Sequence, residues 1–327
     1  MNKVTKIVIR LSLVAIVLVA ATLLYFSWRW DKTYPDTSYP AISASVEPGA
    51  VERGRYLVHA VAHCSGCHAP RDSLAAFEAG TDPVMRGGEL PMGPIGTLRP
   101  PNLTSDRDTG IGQHTDAELA RAIRHGVRRD GRVAPLMIGA GPVADADLAD
   151  MLAYLRSLPP VASDGLASEV SILGKVLLQT ALAEVGDVHP VFPIPPYAEA
   201  GDVSVERGRY LAEGPGACFG CHSHDVERDY VPAEFFCGNP DPWPDAAAPD
   251  NSIYAPNLTT HPTAGKLAGL SADDFVARMR APRMYAGSPM AWENLAQMTD
   301  EDLLSIFAYL SQREPCDRDI GPTYVEG

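Results

Sequence analysis

Hydrophobic positions along the chain fall into one unbroken run and several short helical stripes. Leu11 to Trp28 is an 18-residue run without a charge, just long enough to cross a hydrocarbon core of about 30 Å at about 1.5 Å per residue. Further on, Leu119, Ile123 and Val127 recur at helical spacing, as do Phe275 and Met279. Thr115 with Glu118 and Ser271 with Asp274 match the S/T-x-x-D/E start signal ahead of these stripes, and Thr299 with Asp302 opens a later one. The pattern predicts opening helices near 50–62 and 204–214, a middle helix after each of the first two start signals, and closing helices near 145–157 and 299–311. Leu166 to Glu184 reads as one further, partly apolar helix. Convincing period-2 alternation is missing, so the expected fold class is all-α with long loops rich in Gly and Pro.

The N-terminal run is preceded by Lys3, Lys6 and Arg10, a bias that keeps the N-terminus in the cytoplasm. Tyr25, Phe26, Trp28 and Trp30 cluster at its far end beside Arg29 and Lys32, in the manner of an interfacial belt. The run is long for a signal-peptide core and no A-x-A site follows, so it reads as an uncleaved anchor, with a cleaved signal peptide as the alternative. Either way the rest of the chain is expected on the periplasmic side of the inner membrane, where disulfides persist. Residues 31–50 are rich in Pro, Ser, Ala and Tyr and read as a tether.

The chain contains a duplication. VERGRYL stands at 51–57 and again at 205–211; CSGCH at 64–68 returns as CFGCH at 218–222, both at an offset of 154. PPNLTSD at 100–106 answers APNLTTH at 255–261, and DLADMLAYLRSL answers DLLSIFAYLSQR near the end of each copy. The expected organisation is an anchor over 1–32, a tether over 33–46, a first domain over 47–160, a linker with a helix over 161–202, and a second domain with a C-terminal tail over 203–327. The linker continues into a Pro-rich run, HPVFPIPPY, and its helix is either packed across both domains or a docking surface for a partner or the membrane.

Composition narrows the function. The 327 residues carry 41 acidic and 27 basic side chains, a formal charge of −14, which leaves no broad basic patch for nucleic acid. The excess is uneven: residues 51–158 hold 12 basic and 13 acidic side chains, residues 203–312 hold 7 and 15. An acidic second half would steer a basic partner, or simply keep the surface soluble.

Four of the six cysteines form the two CxxCH clusters. C-x-x-C-H is the haem c attachment signature: two thiols reach the two vinyl groups of one porphyrin, and the next residue turns an imidazole under the iron. A redox dithiol does not require the histidine, and a zinc site would need more ligands at short spacing. Two copies in one exported chain predict two covalently bound haem c groups, held by Cys64 and Cys67 with His68, and by Cys218 and Cys221 with His222. A rigid cofactor also accounts for loops longer than an ordinary compact domain carries.

The distal ligands are expected at Met137 and Met290, 69 and 68 residues after the respective histidines, each in a Pro/Gly-rich loop before a closing helix. Met151 and Met279 fall inside predicted helices and read as core; Met85, Met92, Met284 and Met298 lack a counterpart at matched spacing. A bis-histidine alternative would draw on His63, His114, His125, His224 or His261. His/Met ligation raises the reduction potential and closes the iron to substrate, which suits electron transfer and leaves no catalytic residue to assign. The remaining pair, Cys237 and Cys316, suggests a disulfide that ties the tail to the second domain.

The GRYL helix, CxxCH, PNLT loop, methionine loop and AYLxSL closing helix together resemble class I c-type cytochromes. More narrowly, the chain is similar to the multihaem cytochrome subunits of membrane-bound alcohol and gluconate dehydrogenases. The resemblance implies that Gly54 and Gly208 let each opening helix cross its closing helix near Tyr154 and Tyr309, and that the loops around Asn102 and Asn257 line the haem edges. Those subunits carry three haems and commonly Met-Pro at the axial position, whereas this chain has two CxxCH sites, with Ile138 after Met137 and Ala291 after Met290. The expected function is a membrane-anchored dihaem carrier, non-enzymatic itself, passing electrons from a dehydrogenase to an oxidase or soluble cytochrome. A dihaem enzyme of the peroxidase or thiosulfate dehydrogenase type, with one haem open to substrate, is the alternative.

Overall fold

A computed structural model of the chain describes residues 3–29, 33–181, 192–224, 226 and 230–327. Helix α1, Lys3–Arg29, carries the N-terminal apolar run, and its side chains are almost all exposed. The first repeat follows with α2 (Ala50–Tyr56), which widens into a π-helical turn over Leu57–Val61, then the short α3 (Cys64–His68), α4 (Asp116–His125) and α5 (Asp145–Ser157). After α6 (Ile172–Ala181) the second repeat supplies α7 (Val205–Glu213), α8 (Cys218–His222), α9 (Ala272–Arg280), α10 (Trp292–Leu295) and α11 (Asp300–Ser311). The start signals act as read: Thr115 and Ser271 each form a full capping box, and Thr299 Oγ1 accepts from the Asp302 amide. Trp30 and Lys32 of the expected aromatic and basic belt lie outside the described residues.

Each repeat is built on one helix crossing. The closing helices α5 and α11 pack on the opening helices α2 and α7. A Cβ on Gly54 would stand 1.9 Å from the Asp150 carbonyl oxygen and 2.9 Å from Tyr154 Cβ; on Gly208 it would stand 1.8 Å from the Ser305 oxygen. Only a residue without a side chain lets the two backbones meet this closely. One apolar cluster runs through both repeats, with Leu148, Leu152, Tyr210, Leu211 and Leu303 among its buried members.

The repeats also grip each other reciprocally. Tyr56 of the first donates to Asp302 Oδ2 of the second at 2.7 Å, and accepts from the Thr299 amide at 3.2 Å. Tyr210 of the second donates to Asp147 Oδ2 of the first at 2.6 Å, and accepts from the Ala144 amide at 3.2 Å. The same tyrosine of each VERGRYL copy thus reaches the start of the other copy's closing helix, the self-complementary form of a two-fold contact.

Three expectations need correction. The all-α reading misses two small antiparallel sheets: β1 (Leu90–Pro91), β2 (Gly96–Leu98) and β3 (Glu169–Val170) form one, in that order, and β4 (Trp243–Asp245), β5 (Ala248–Ile253) and β6 (Tyr324–Val325) form the other. Strands of two to six residues, two of them paired with segments some 70 residues away, are too short to print an alternation. The linker helix is shorter than 166–184: residues 169–170 are drawn into β3, and 182–184 lie outside the described residues. The tether does not extend from the body. Tyr34 donates its amide to Gly131, Ala44 to Asp116 and Ser45 to Ala149, Ile42 is buried, and the Tyr39 ring lies under the Arg121 guanidinium at 4.1 Å. A polar, Pro-containing composition marks irregular backbone, and irregular backbone docks as readily as it dangles.

The expected disulfide is present between Cys237 and Cys316, Cα atoms 5.6 Å apart and 79 residues distant in sequence.

Candidate functional site

Both CxxCH segments are entered through the same backbone device. Leu57 and Leu211 each accept a hydrogen bond from the amide five residues on, Ala62 and Gly216, at 2.7 and 2.9 Å. A left-handed residue follows, His63 at φ 41° and Ala217 at φ 46°, and the chain then makes one helical turn. A non-glycine side chain at positive φ is uncommon and held by its surroundings; here it occurs twice, immediately before each first cysteine. The turn brings the two thiols and the imidazole of each motif onto α3 and α8.

The histidines are anchored alike. His68 and His222 are buried, and their Nδ1 atoms lie 2.8 and 2.9 Å from the carbonyl oxygens of Pro101 and Pro256. A carbonyl only accepts, so each Nδ1 carries the proton and each Nε2 is left with a lone pair. Burial holds both imidazoles below the ordinary histidine pKa, so they are neutral. The carbonyls of His68 and His222 in turn accept from Gly87 and Gly238, both at positive φ, and these glycines adjoin the Pro–Asn segment.

Asn102 and Asn257 fix those segments. Each side-chain oxygen accepts from the amide two residues on, Thr104 and Thr259. Each Nδ2 donates to the strap beyond the closing helix, at Val161 and Cys316, at 2.7 and 2.8 Å. The strap residue is the disulfide cysteine in the second repeat, so the Cys237–Cys316 bond fastens what the first repeat holds by hydrogen bonds alone. The bonds from Val161 and Ser163 to Thr104 and Thr109, with the pairing of β3 on β2, place residues 161–171 with the first repeat, inside the stretch expected as linker.

Burial raises the Cys64 and Cys218 thiols to about 12, the value of protonated sulfur in apolar surroundings. Such thiols are poor thiolate nucleophiles for redox exchange. The donor set fits a covalently attached haem c: two thiols and a neutral imidazole with free Nε2 on one turn, backed by loops with glycine where backbone must approach. Among the described residues, no group of three His, Cys, Asp or Glu side chains is arranged to hold a bare metal ion.

Met137 sits in the 3₁₀ turn Pro135–Ala140, half-buried against the core; Met290 is half-buried in the loop ahead of α10. That second loop is braced: Arg283 pairs with Glu293 at 2.6 Å, donates to the Ser288 carbonyl, and Ser288 Oγ accepts from the Met290 amide at 3.4 Å. Met151 is fully buried in α5 and Met279 packs on the core from α9, as read. Met85 and Met298 are buried, while Met284 is exposed. Of the alternative histidines, His63 is the left-handed residue, His125 ends α4, His261 Nδ1 accepts from the Ala264 amide, and His224 lies 3.6 Å from Asp241.

Two side chains escaped the sequence reading. Asn294, on α10, donates to the His59 carbonyl and to Ser65 Oγ, both at 2.7 Å. It joins the methionine loop of the second repeat to the attachment turn of the first. The counterpart position in the first repeat is Gly141, so the duplication carried no signal for it. His59, also in the π turn, is 3 % exposed and 2.7 Å from the Tyr154 hydroxyl, with Asp82 at 3.9 Å. Burial lowers its pKa to about 4. A buried neutral histidine stabilises the fold above its unfolded pKa of about 6.5, and that stability is lost as pH falls through the folded value. Between pH 7 and pH 4 the protein is expected to lose about 3 kcal/mol more than its His59→Gln variant, read from urea midpoints at the two pH values. Equal losses would mean that His59 is already charged in the fold.

The Cytochrome c family model matches residues 51–159. A diheme cytochrome c-type protein of Cereibacter sphaeroides is 32% identical over 297 residues, covering 86% of this chain and 91% of that protein. The gluconate 2-dehydrogenase cytochrome c subunit of Pantoea cypripedii is 30% identical over 80% of this chain. The alcohol dehydrogenase (quinone) cytochrome c subunit of Gluconacetobacter polyoxogenes is 28% identical over 84% of it. This chain spans 58% of the length of each of those two subunits. A CxxCH turn with a buried, carbonyl-anchored histidine, and a match to a dihaem relative over most of both chains, lead to one conclusion: the chain belongs to the cytochrome c family, proteins of electron transport that carry covalent haem c.

Proposed function

We propose that this chain is a membrane-anchored dihaem electron carrier made of two tandem cytochrome c domains, serving a dehydrogenase on the periplasmic side of the inner membrane. The observation that carries the reading is the repetition, in the second half, of four elements that hold the first CxxCH: the left-handed entry, the carbonyl-anchored histidine, the glycine amide and the asparagine strap. Cys64 and Cys67, and Cys218 and Cys221, form the thioether links. His68 and His222 would hold the iron through Nε2, and Met137 and Met290 would supply the sulfur ligands.

A haem held between imidazole and thioether exchanges single electrons at raised potential. The chain's own part is to hold each imidazole in one tautomer, exclude water from it by burial, and keep the two sites in fixed relation through Asn294 and the tyrosine contacts. The relatives named for alcohol and gluconate dehydrogenases support a dehydrogenase as electron donor; the acceptor in this reading is an oxidase or a soluble cytochrome. The apolar α1 with Lys3, Lys6 and Arg10 at its start supports the anchor and its orientation.

The test is carbon monoxide binding to the reduced, purified protein, with haem counted by intact mass. Two haems per chain and an unchanged visible spectrum are expected, since both irons are closed by protein ligands. Stoichiometric binding at one haem would remove a methionine from the ligand set and favour an enzyme with an open site. One haem per chain would remove the tandem reading.

A further inference from the structure

Helix α6 carries large apolar side chains that stand exposed. Its Gly174 is buried, and a Cβ there would stand 2.2 Å from the Ile95 carbonyl oxygen, so this side is seated on the turn Gly93–Ile95. At about 100° per residue, Ile172, Leu173, Val176 and Leu177 share an arc of about 140° that ends about 60° short of Gly174. Ile172 is 57% exposed, Leu173 52% and Leu177 43%. Large apolar residues grouped on one turn of a helix mark a contact surface.

What covers it follows from its neighbour. α6 packs alongside α1, the apolar helix of 27 residues. Within α1, Phe26 and Ser27 are half-buried, in the last turns, where Tyr25 and Trp28 also stand. Contact with the body is thus made at the end of α1 that carries the aromatic belt. The ten residues of α6 cover about 15 Å at about 1.5 Å each, half of what a crossing needs. A short helix with one apolar face, beside the end of a span, has the form of an interfacial element lying in the leaflet.

We propose that α6 is a second membrane-contacting element, its Ile172, Leu173 and Leu177 face set into the acyl boundary of the leaflet from which α1 emerges. It fixes the first repeat against the bilayer, because α6 is joined through β3 to the sheet of that repeat. The inference rests on the reading of α1 as a membrane span.

The holoprotein, full length, is reconstituted in vesicles of phosphatidylcholine and phosphatidylglycerol containing a phospholipid with a diazirine on its acyl chain. After illumination, adducts are mapped by peptide mass. Adducts are expected on α1 and on residues 172–181, with α9 unlabelled; the double variant Leu173→Glu/Leu177→Glu should lose the α6 adducts and keep those on α1. Adducts on α1 alone would overturn the proposal and leave the anchor standing. Adducts on neither would overturn the anchor as well. An amine cross-link from Lys175 to a second copy, without lipid adducts, would assign the face to self-association and overturn the proposal too. The unmodified chain carries the decisive result if the double variant does not fold.

Discussion

Replacing Gly208 with alanine is expected to prevent the second repeat from closing. The added Cβ would lie 1.8 Å from the Ser305 carbonyl oxygen and 2.4 Å from its carbon, and both are backbone atoms of α11. No rotamer change relieves such a contact; one helix must move off the other. The displaced faces carry Tyr210, Leu211, Leu303 and Leu310, all essentially buried. Ordinary overpacking destabilises by about 1–3 kcal/mol, and a clash between two backbones belongs with the exceptional substitutions of about 4 kcal/mol or more. Gly54→Ala meets Asp150 in the same way at 1.9 Å, so either variant should fail to accumulate as folded, haem-bearing protein. Recovery of the Gly208→Ala protein with an unfolding midpoint close to the parent would show that the helices cross less tightly than described.

The second large effect is expected at Arg207. Its guanidinium donates to Asp302 through Nε and a terminal nitrogen, both at 2.9 Å, and to the Ala198 carbonyl. Both partners of the pair are buried, and Asp302 also accepts the hydroxyl of Tyr56 from the other repeat. Arg207→Ala leaves that carboxylate buried without its cation, a change that destabilises by about 3–5 kcal/mol. The counterpart Arg53 turns instead to Asp150 and is half exposed, though Asp150 is buried, so Arg53→Ala should cost clearly less than Arg207→Ala. Chemical denaturation of the two variants beside the parent measures the difference. Adding Asp302→Asn to Arg207→Ala should recover part of the loss, since the orphaned charge is then gone. Equal, small losses at Arg207 and Arg53 would mean that water reaches the Asp302 carboxylate.

The contrast between Arg207 and Arg53 also shows where the sequence stops being informative. Both arginines stand in identical VERGRYL heptapeptides, and nothing within the motif tells that one will be sealed by Asp302 and the other left at the surface. The deciding residues lie about 95 positions downstream, where Ser305 replaces Asp150. What is legible is local or repeated: the capping boxes, the closing helices and the CxxCH turns each depend on a few adjacent residues or on two copies of one pattern, while the glycine crossings follow from the family resemblance. The small sheets, the docking of residues 33–45 and the Asn294 bridge depend on pairings across many residues. The tyrosine contacts were half visible. A tyrosine retained in both copies was read as part of an opening helix, and its partner at the other copy's closing helix needed the fold.

The reciprocal tyrosine contacts bear on how the molecule assembles. Because each half offers the same surface and receives the same surface, two separate single-repeat chains could make the identical contact in trans, at a concentration-dependent yield. Joining the halves replaces that bimolecular encounter with an intramolecular one, for which the effective concentration of a short linker is on the order of millimolar. The pairing is then independent of expression level, and the two halves are free to diverge. The second carries a disulfide and Asn294, the first carries His59, and the tyrosine contacts hold all the same.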